Sequence, residues 1–277
     1  MRITPLGRHA GAEVTGIDLS GSVPEEARKT LNEALVEHVA LVIRDQRYTP
    51  SDFVKAAGVF GQPMPQDYSD FNLPDEPLIN VVSSRHTDKA GKRILRGATW
   101  HTDHTNHECP PKCTVLYAVA LPSAGGDTGV CNMRAAYEAL PDDMKATLAD
   151  VKTANPHVGR ATNRASPKGQ ELQAKRQAPP VFHPVVRTHP ESGRKALWFH
   201  TVKTDFVTGY TPEESRDLLM GLLEAAVRPE FVYRHKWRKG DMLIWDNRQT
   251  MHQAYHDYDP AEHRMFYRLL LEGDRPF

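Results

Sequence analysis

Trp100-His101-Thr102-Asp103 sets an imidazole and a carboxylate two residues apart. On an extended strand, residues i and i+2 project from the same face, so both groups can aim at one ion. A neutral imidazole is a borderline ligand and a carboxylate a hard one. Two histidines plus one carboxylate, with coordination positions left open, are the ligand set of a mononuclear non-haem Fe(II) site. The chain has 14 histidines, so the pair gains weight only from its surroundings. His252 is the candidate third ligand, close behind Trp245-Asp246-Asn247-Arg248. Arg264 and Arg268 follow, four positions apart, and share one face of a strand over 264–271.

Working outward, the remaining sequence reads as strands with inserted helices. Val39 to Ile43 is a short apolar run, and Thr114 to Ala120 alternates around Val115, Tyr117 and Val119. Phe182–Thr188 and Ala196–Phe199 flank Pro190-Glu191-Ser192-Gly193 as a hairpin. Phe231–Trp237 and Met242–Trp245 flank Arg238-Lys239-Gly240 as a second. Ser22-Val23-Pro24-Glu25 has capping-box spacing before a helix with Leu31 and Leu35 on one face. Thr49-Pro50 and Thr211-Pro212 place proline at the first helical position of two more, the second carrying a Leu218, Leu219, Leu222, Leu223 stripe. The expected fold is mainly β with flanking helices, a double-stranded β-helix or jelly roll. It forms one domain over 1–277, with long active-site loops near 62–97 and 155–179.

Bulk composition excludes several classes. Lys+Arg and Asp+Glu both total 35, so no basic excess points to nucleic acid. No apolar run reaches membrane-spanning length, the first residues lack a signal-peptide core, and three cysteines make no disulfide framework. The expectation is a cytoplasmic protein.

Further stretches complete the pattern: Leu41-Val42-Ile43-Arg44-Asp45-Gln46, Gly125-Gly126-Asp127-Thr128, Met133-Arg134-Ala135-Ala136-Tyr137 and His183-Pro184-Val185-Val186-Arg187-Thr188-His189-Pro190. With the His101, Asp103, His252, Arg264 and Arg268 set, the chain resembles the taurine dioxygenase / 2,4-dichlorophenoxyacetate dioxygenase family of Fe(II)- and 2-oxoglutarate-dependent oxygenases. The resemblance implies that His101, Asp103 and His252 bind Fe(II). It implies that Arg264 and Thr128 hold the distal carboxylate of 2-oxoglutarate, with Trp237 lining that pocket, and that Arg268 meets the anionic end of the substrate. A planar guanidinium suits a carboxylate in either role. The implied reaction consumes O2, converts 2-oxoglutarate to succinate and CO2, and hydroxylates a small anionic compound: an aryloxyalkanoate, an alkylsulfonate or sulfate ester, or a related acid. Hydroxylation beside a heteroatom leads on to C–O or C–S cleavage. Homo-oligomers, dimers or tetramers, are the family's habit.

The pattern also departs from the taurine enzymes. Their histidine in the loop after the first Phe-Gly is missing from Gln62-Pro63-Met64-Pro65-Gln66-Asp67-Tyr68, and their asparagine before the metal motif is Gly97. Arg85, His86, Lys89, Lys92, Arg93 and Arg96 cluster in the loop ahead of that motif, and Lys203 follows Trp198-Phe199-His200. Arg93 and Lys203 are therefore candidate partners of the substrate anion. His104, His107, Cys109 and Cys113 fit no zinc spacing, and the cysteines are expected packed or free. Two rival readings remain: a Zn-dependent hydrolase built on the same triad, and a non-catalytic binder of an anionic metabolite.

Overall fold

A computed structural model describes residues 1–67, 69–156 and 179–277 of the chain. The strand Ala40–Ile43 explains its layers, since all four residues are buried. Ala40 and Val42 turn to one side, where they pack with Leu116, Ala118, Leu243, Trp245 and Phe266. Leu41 and Ile43 turn to the other, with Val115, Met242, Ile244, Leu269 and Leu271. A sheet covered on both faces needs continuous apolar runs rather than alternation, and the sequence supplies them.

The outer face of this sheet is covered by helices Glu25–His38 and Pro50–Ala57, through Leu31, Leu35, Phe53, Ala56 and Ala57. Full burial of a side chain such as Phe53 contributes about 2–3 kcal/mol. The inner face meets Val130 of a second sheet, whose strands run in the order Val232–His235, Thr128–Asn132, Thr250–Ala254. That sheet's far side, Cys131 and Met251, packs with Met133 just beyond it on Leu219, Leu222 and Ala226 of helix Pro212–Ala226. Two sheets enclosing one interior, with helices outside, make the expected double-stranded β-helix.

Among the described residues the large sheet has eight strands, with Met242–Asp246, Cys113–Ala120 and Met265–Leu271 at its centre. Hairpin Val186–Thr188/Lys195–Leu197 forms as the sequence suggests. The Arg238-Lys239-Gly240 hairpin does not. Val232–His235 pairs with Thr128–Asn132 in the small sheet, while Met242–Asp246 pairs with Ala40–Ile43 and Cys113–Ala120 in the large one. The turn carries the chain between sheets, held by Asp241, whose carboxylate accepts from Arg44 at 2.6 Å and from the Arg238 amide at 2.8 Å.

Thr49 and Thr211 form capping boxes with Asp52 and Glu214, each followed by proline. Ser22 does not: the first helix starts behind Pro24 with no side-chain cap. The region 62–97 is more ordered than a loop, because Pro63–Met64 and Asn80–Ser83 both pair with Met265–Leu271 and Ser69–Phe71 is a 3-10 turn. The second long loop expected, 155–179, lies outside the described residues except at its ends. Among the described residues no helix is long and apolar enough to cross a membrane.

Candidate metal centre and anion pockets

His101 is tied to the Thr250–Ala254 strand by reciprocal backbone hydrogen bonds with His252, at 3.1 and 2.8 Å. The two imidazoles therefore stand side by side, with ring centroids 4.1 Å apart. Asp103 lies beyond this single bridge in irregular backbone, so the same-face argument describes His101 but not Asp103. The carboxylate is placed instead by Thr114, whose hydroxyl donates to Oδ2 at 2.7 Å, and by Arg268 at 2.8 Å from the same oxygen. Nε2 of His101 is 4.0 Å from Oδ1, and Nε2 of His252 is 3.7 Å from Oδ2.

The donor set fits a divalent metal. One ligand atom from each of the three residues lies within 4.8 Å of the others. His101 Nδ1 donates to the Thr99 carbonyl at 2.7 Å, which fixes the tautomer and leaves the Nε2 lone pair free. No hydrogen bond among the described residues occupies Nε2 of His101 or His252. Burial holds both imidazoles below their ordinary pKa, the nearby carboxylate only partly offsetting it, which favours the neutral form a metal would need. Burial alone would raise the Asp103 carboxyl, but Arg268 and the histidines hold it well below the usual range.

A second layer explains Trp245-Asp246-Asn247-Arg248. Asn247 donates to the Thr114 hydroxyl at 2.9 Å and accepts from the Trp245 indole at 3.1 Å. Its carbonyl accepts from Thr102 and from the Trp198 indole. Asp246 is fully buried and accepts from Arg248 and His189, at 2.7 and 2.9 Å. Burial would raise this carboxyl too, yet Arg248 and His189 keep it well below its ordinary range. Asp246→Asn leaves the buried Arg248 guanidinium with Glu191, 2.6 Å away at the edge of the site, as its one remaining carboxylate among the described residues. It should cost about 3–5 kcal/mol and lower Tm by on the order of 10 °C in a thermal melt. Because the folded pKa is depressed, the wild-type contribution is intact at neutral pH. It is lost as pH falls below the unfolded value of about 4 toward the folded one, so the gap between variant and wild type should narrow in acid.

Arg264, Phe266 and Arg268 line one face of the last strand and its approach, with the Arg264 guanidinium 4.3 Å from the Phe266 ring centre. Arg264 is buried and donates to the Gly126 carbonyl at 2.8 Å, with a long 3.5 Å contact to the Thr128 hydroxyl. Among the described residues it has no carboxylate partner. Burial pulls its pKa down to about 10. Gly126 has φ 72°, and a Cβ there would stand 3.1 Å from the Arg264 side chain, so glycine serves both the turn and the close approach. The Thr128 hydroxyl already accepts from the Trp237 indole at 3.1 Å, so its own proton is available to an anion.

Arg268, further along the same face, reaches Asp103 and, at 3.0 Å, the Gln66 side-chain oxygen. Lys203 is half-buried on this side. Burial lowers its pKa, with Arg268 adding to the effect and the charges of Asp103 and Asp67 offsetting it. Arg93 lies elsewhere: it donates to the Tyr258 hydroxyl at 2.6 Å, and Tyr258 is a neighbour of Arg264. Two residues that sequence reasoning missed also belong here. His200 accepts the Val202 and Lys203 amides on Nδ1, and its ring centre is 5.8 Å from that of His101. Gln66 carries no charge to mark it and lies in the loop after Phe60-Gly61.

Asp67, His104 and His107 form a second compact triad, with Asp67 Oδ2 2.9 Å from His104 Nδ1 and 2.8 Å from His107 Nε2. These are hydrogen-bond lengths, and they fasten the loop carrying Asp67 to the turn after Asp103. Cys113 is buried in a strand and Cys109 is exposed, both free.

Two histidines and a carboxylate inside a double-stranded β-helix, beside a buried unpaired arginine, define the mononuclear non-haem iron oxygenases that use an oxo-acid. Residues 2–270 match the family described as "Taurine catabolism dioxygenase TauD, TfdA family", and the chain belongs to that family. It is 31% identical to an alkylsulfatase of Acinetobacter baylyi, over 99% of this chain and 86% of that protein. It is 33% identical to the alpha-ketoglutarate-dependent 2,4-dichlorophenoxyacetate dioxygenase of Burkholderia sp. strain RASC, over 95% and 91% of the two chains. The crystal structure of a taurine dioxygenase from Burkholderia xenovorans superposes with TM-score 0.83 at 31% identity, over 99% of this chain and 90% of that one. The chain is thus a 2-oxoglutarate-dependent dioxygenase, an oxidoreductase whose cofactor is Fe(II) and whose co-substrates are 2-oxoglutarate and O2. Neither the hydrolase nor the non-catalytic binder finds support among the relatives.

Proposed function

We propose that His101, Asp103 and His252 hold Fe(II), that Arg264 and Thr128 beside Trp237 hold the distal carboxylate of 2-oxoglutarate, and that Arg268 with Lys203 binds the anionic end of a small organic substrate. The observation that carries this reading is the pair of arginines on one face of the last strand. One is buried without a carboxylate, and the other is aimed at the metal-side carboxylate. When bound, the iron supplies oxygen activation. The protein's share is orientation. Thr99 fixes the His101 tautomer, Thr114 and Arg268 fix Asp103, and the arginines hold the two organic molecules by their charged ends so that a substrate C–H lies beside the metal.

Substrates named for the relatives include sulfate esters and aryloxyalkanoates, and both have one anionic head on an apolar body. We assign the same chemical class here, with C–O cleavage following hydroxylation beside the ether or ester oxygen. The test is substrate-dependent succinate release across alkyl sulfates, alkylsulfonates and aryloxyacetates. Arg268→Ala should raise KM for the accepted substrate about 10- to 100-fold, while KM for 2-oxoglutarate stays within about twofold. Equal losses for both would contradict the division of labour. Arg93 belongs to the Arg264 end of the site through Tyr258, so Arg93→Ala should change 2-oxoglutarate affinity more than substrate KM. The whole chain acts as one catalytic domain, and a dimer or tetramer, read from the family resemblance, is checked by light scattering of the purified protein.

A further inference from the structure

We propose that Gln66 is a binding residue for the anionic head of the organic substrate, a neutral amide donor beside Arg268. This rests on the assignment of Arg268 to that head. A guanidinium has donors and no acceptor, so the Gln66 amide must present its oxygen to Arg268, and it does so at 3.0 Å. That contact fixes the amide's orientation and turns its nitrogen away from Arg268. The nitrogen is buried and has no hydrogen-bond partner among the described residues. A buried donor of this kind calls for an acceptor.

The position of the amide is itself secured. Next in the chain, Asp67 accepts from His104 and His107, which belong to the turn directly after the metal ligand Asp103. Arg268 in turn bridges Gln66 to Asp103. Residue 66 is thus held against the metal motif from two sides, with its amide N–H groups unspent. Lys203 is close enough to Asp103, Arg268 and Asp67 to feel their charges and makes no ion pair among the described residues. A carboxylate or sulfate head offers acceptors only, so it can satisfy the Arg268, Gln66 and Lys203 donors together.

The test uses the iron-loaded enzyme and whichever of 2,4-dichlorophenoxyacetate and hexyl sulfate the wild type turns over faster. Gln66→Glu keeps the shape and the acceptor for Arg268 but replaces the amide donor by a negative charge, so Gln66→Met, of similar length with neither donor nor charge, is measured beside it. Gln66→Leu removes both donor and acceptor. KM for the anionic probe should rise about 5- to 100-fold in each variant, with kcat within about threefold and 2-oxoglutarate affinity unchanged. A wild-type KM in Gln66→Glu, even with a raised KM in Gln66→Leu, would reduce Gln66 to a prop for Arg268 and overturn the proposal. If Gln66 variants are silent while Arg268→Ala still raises KM, the amide role fails and the Arg268 assignment stands. If Arg268→Ala is silent as well, the assignment beneath it fails.

Discussion

Asp103→Ala should abolish substrate-dependent succinate release while the protein stays folded. Asp103 is the only carboxylate in its cluster of possible metal ligands, and nothing else in that cluster carries negative charge to balance the metal. Two neutral imidazoles alone make a weak site for a hard divalent ion. A catalytic metal supplies several kcal/mol to the reaction. Since each 1.4 kcal/mol is tenfold in rate, the expected loss is roughly 10³-fold or more. Iron content after anaerobic loading and desalting should fall in parallel. Removal of the carboxylate also frees Arg268 from its 2.8 Å partner, so a melting curve must accompany the assay. A folded variant that retains iron and more than about a tenth of wild-type turnover would contradict the metal assignment.

Arg264→Leu should raise the Kd for 2-oxoglutarate by about 10²- to 10³-fold. Truncation of one partner of a buried charge pair costs about 3–5 kcal/mol, and 1.4 kcal/mol is tenfold in affinity. The protein without 2-oxoglutarate should melt at or above the wild-type temperature, because the variant removes a buried guanidinium that has no carboxylate partner among the described residues. Calorimetric titration of the Fe(II)-loaded enzyme under argon measures the affinity. Arg264→Lys restores the charge but not the fork and should recover only part of it. Thr128→Val removes a single hydroxyl and should cost about 1 kcal/mol, a five- to tenfold change. An unchanged 2-oxoglutarate affinity in Arg264→Leu would move the co-substrate elsewhere.

What could be read from the sequence was mostly local. Thr49 and Thr211 announced their helices because a capping box needs only four residues. The apolar runs announced buried strands, and the spacing of Arg264 and Arg268 placed both on one face of the last strand. The turn at 238–240 misled because a tight turn serves a hairpin and a crossing between sheets equally well. Only the distant partners Thr128–Asn132 and Cys113–Ala120 decide between them. The resemblance and the motif single out Asp103, but the support of its carboxylate, Thr114 and behind it Asn247, comes from elsewhere in the chain. Arg93 and Lys203 looked alike as loop cations, and only folding assigned one to Tyr258 and the other to the surroundings of Asp103. Gln66 left no trace in charge or spacing. Its significance lies in an unpaired amide that exists only in three dimensions.

Anaerobic addition of Fe(II) and then 2-oxoglutarate, followed by visible absorption, tests the central claim most directly. The account predicts a charge-transfer band that saturates at one equivalent of each per chain, is absent in His101→Ala, and needs far more 2-oxoglutarate to develop in Arg264→Leu. A folded wild-type protein that binds Fe(II) but develops no band with 2-oxoglutarate would contradict it.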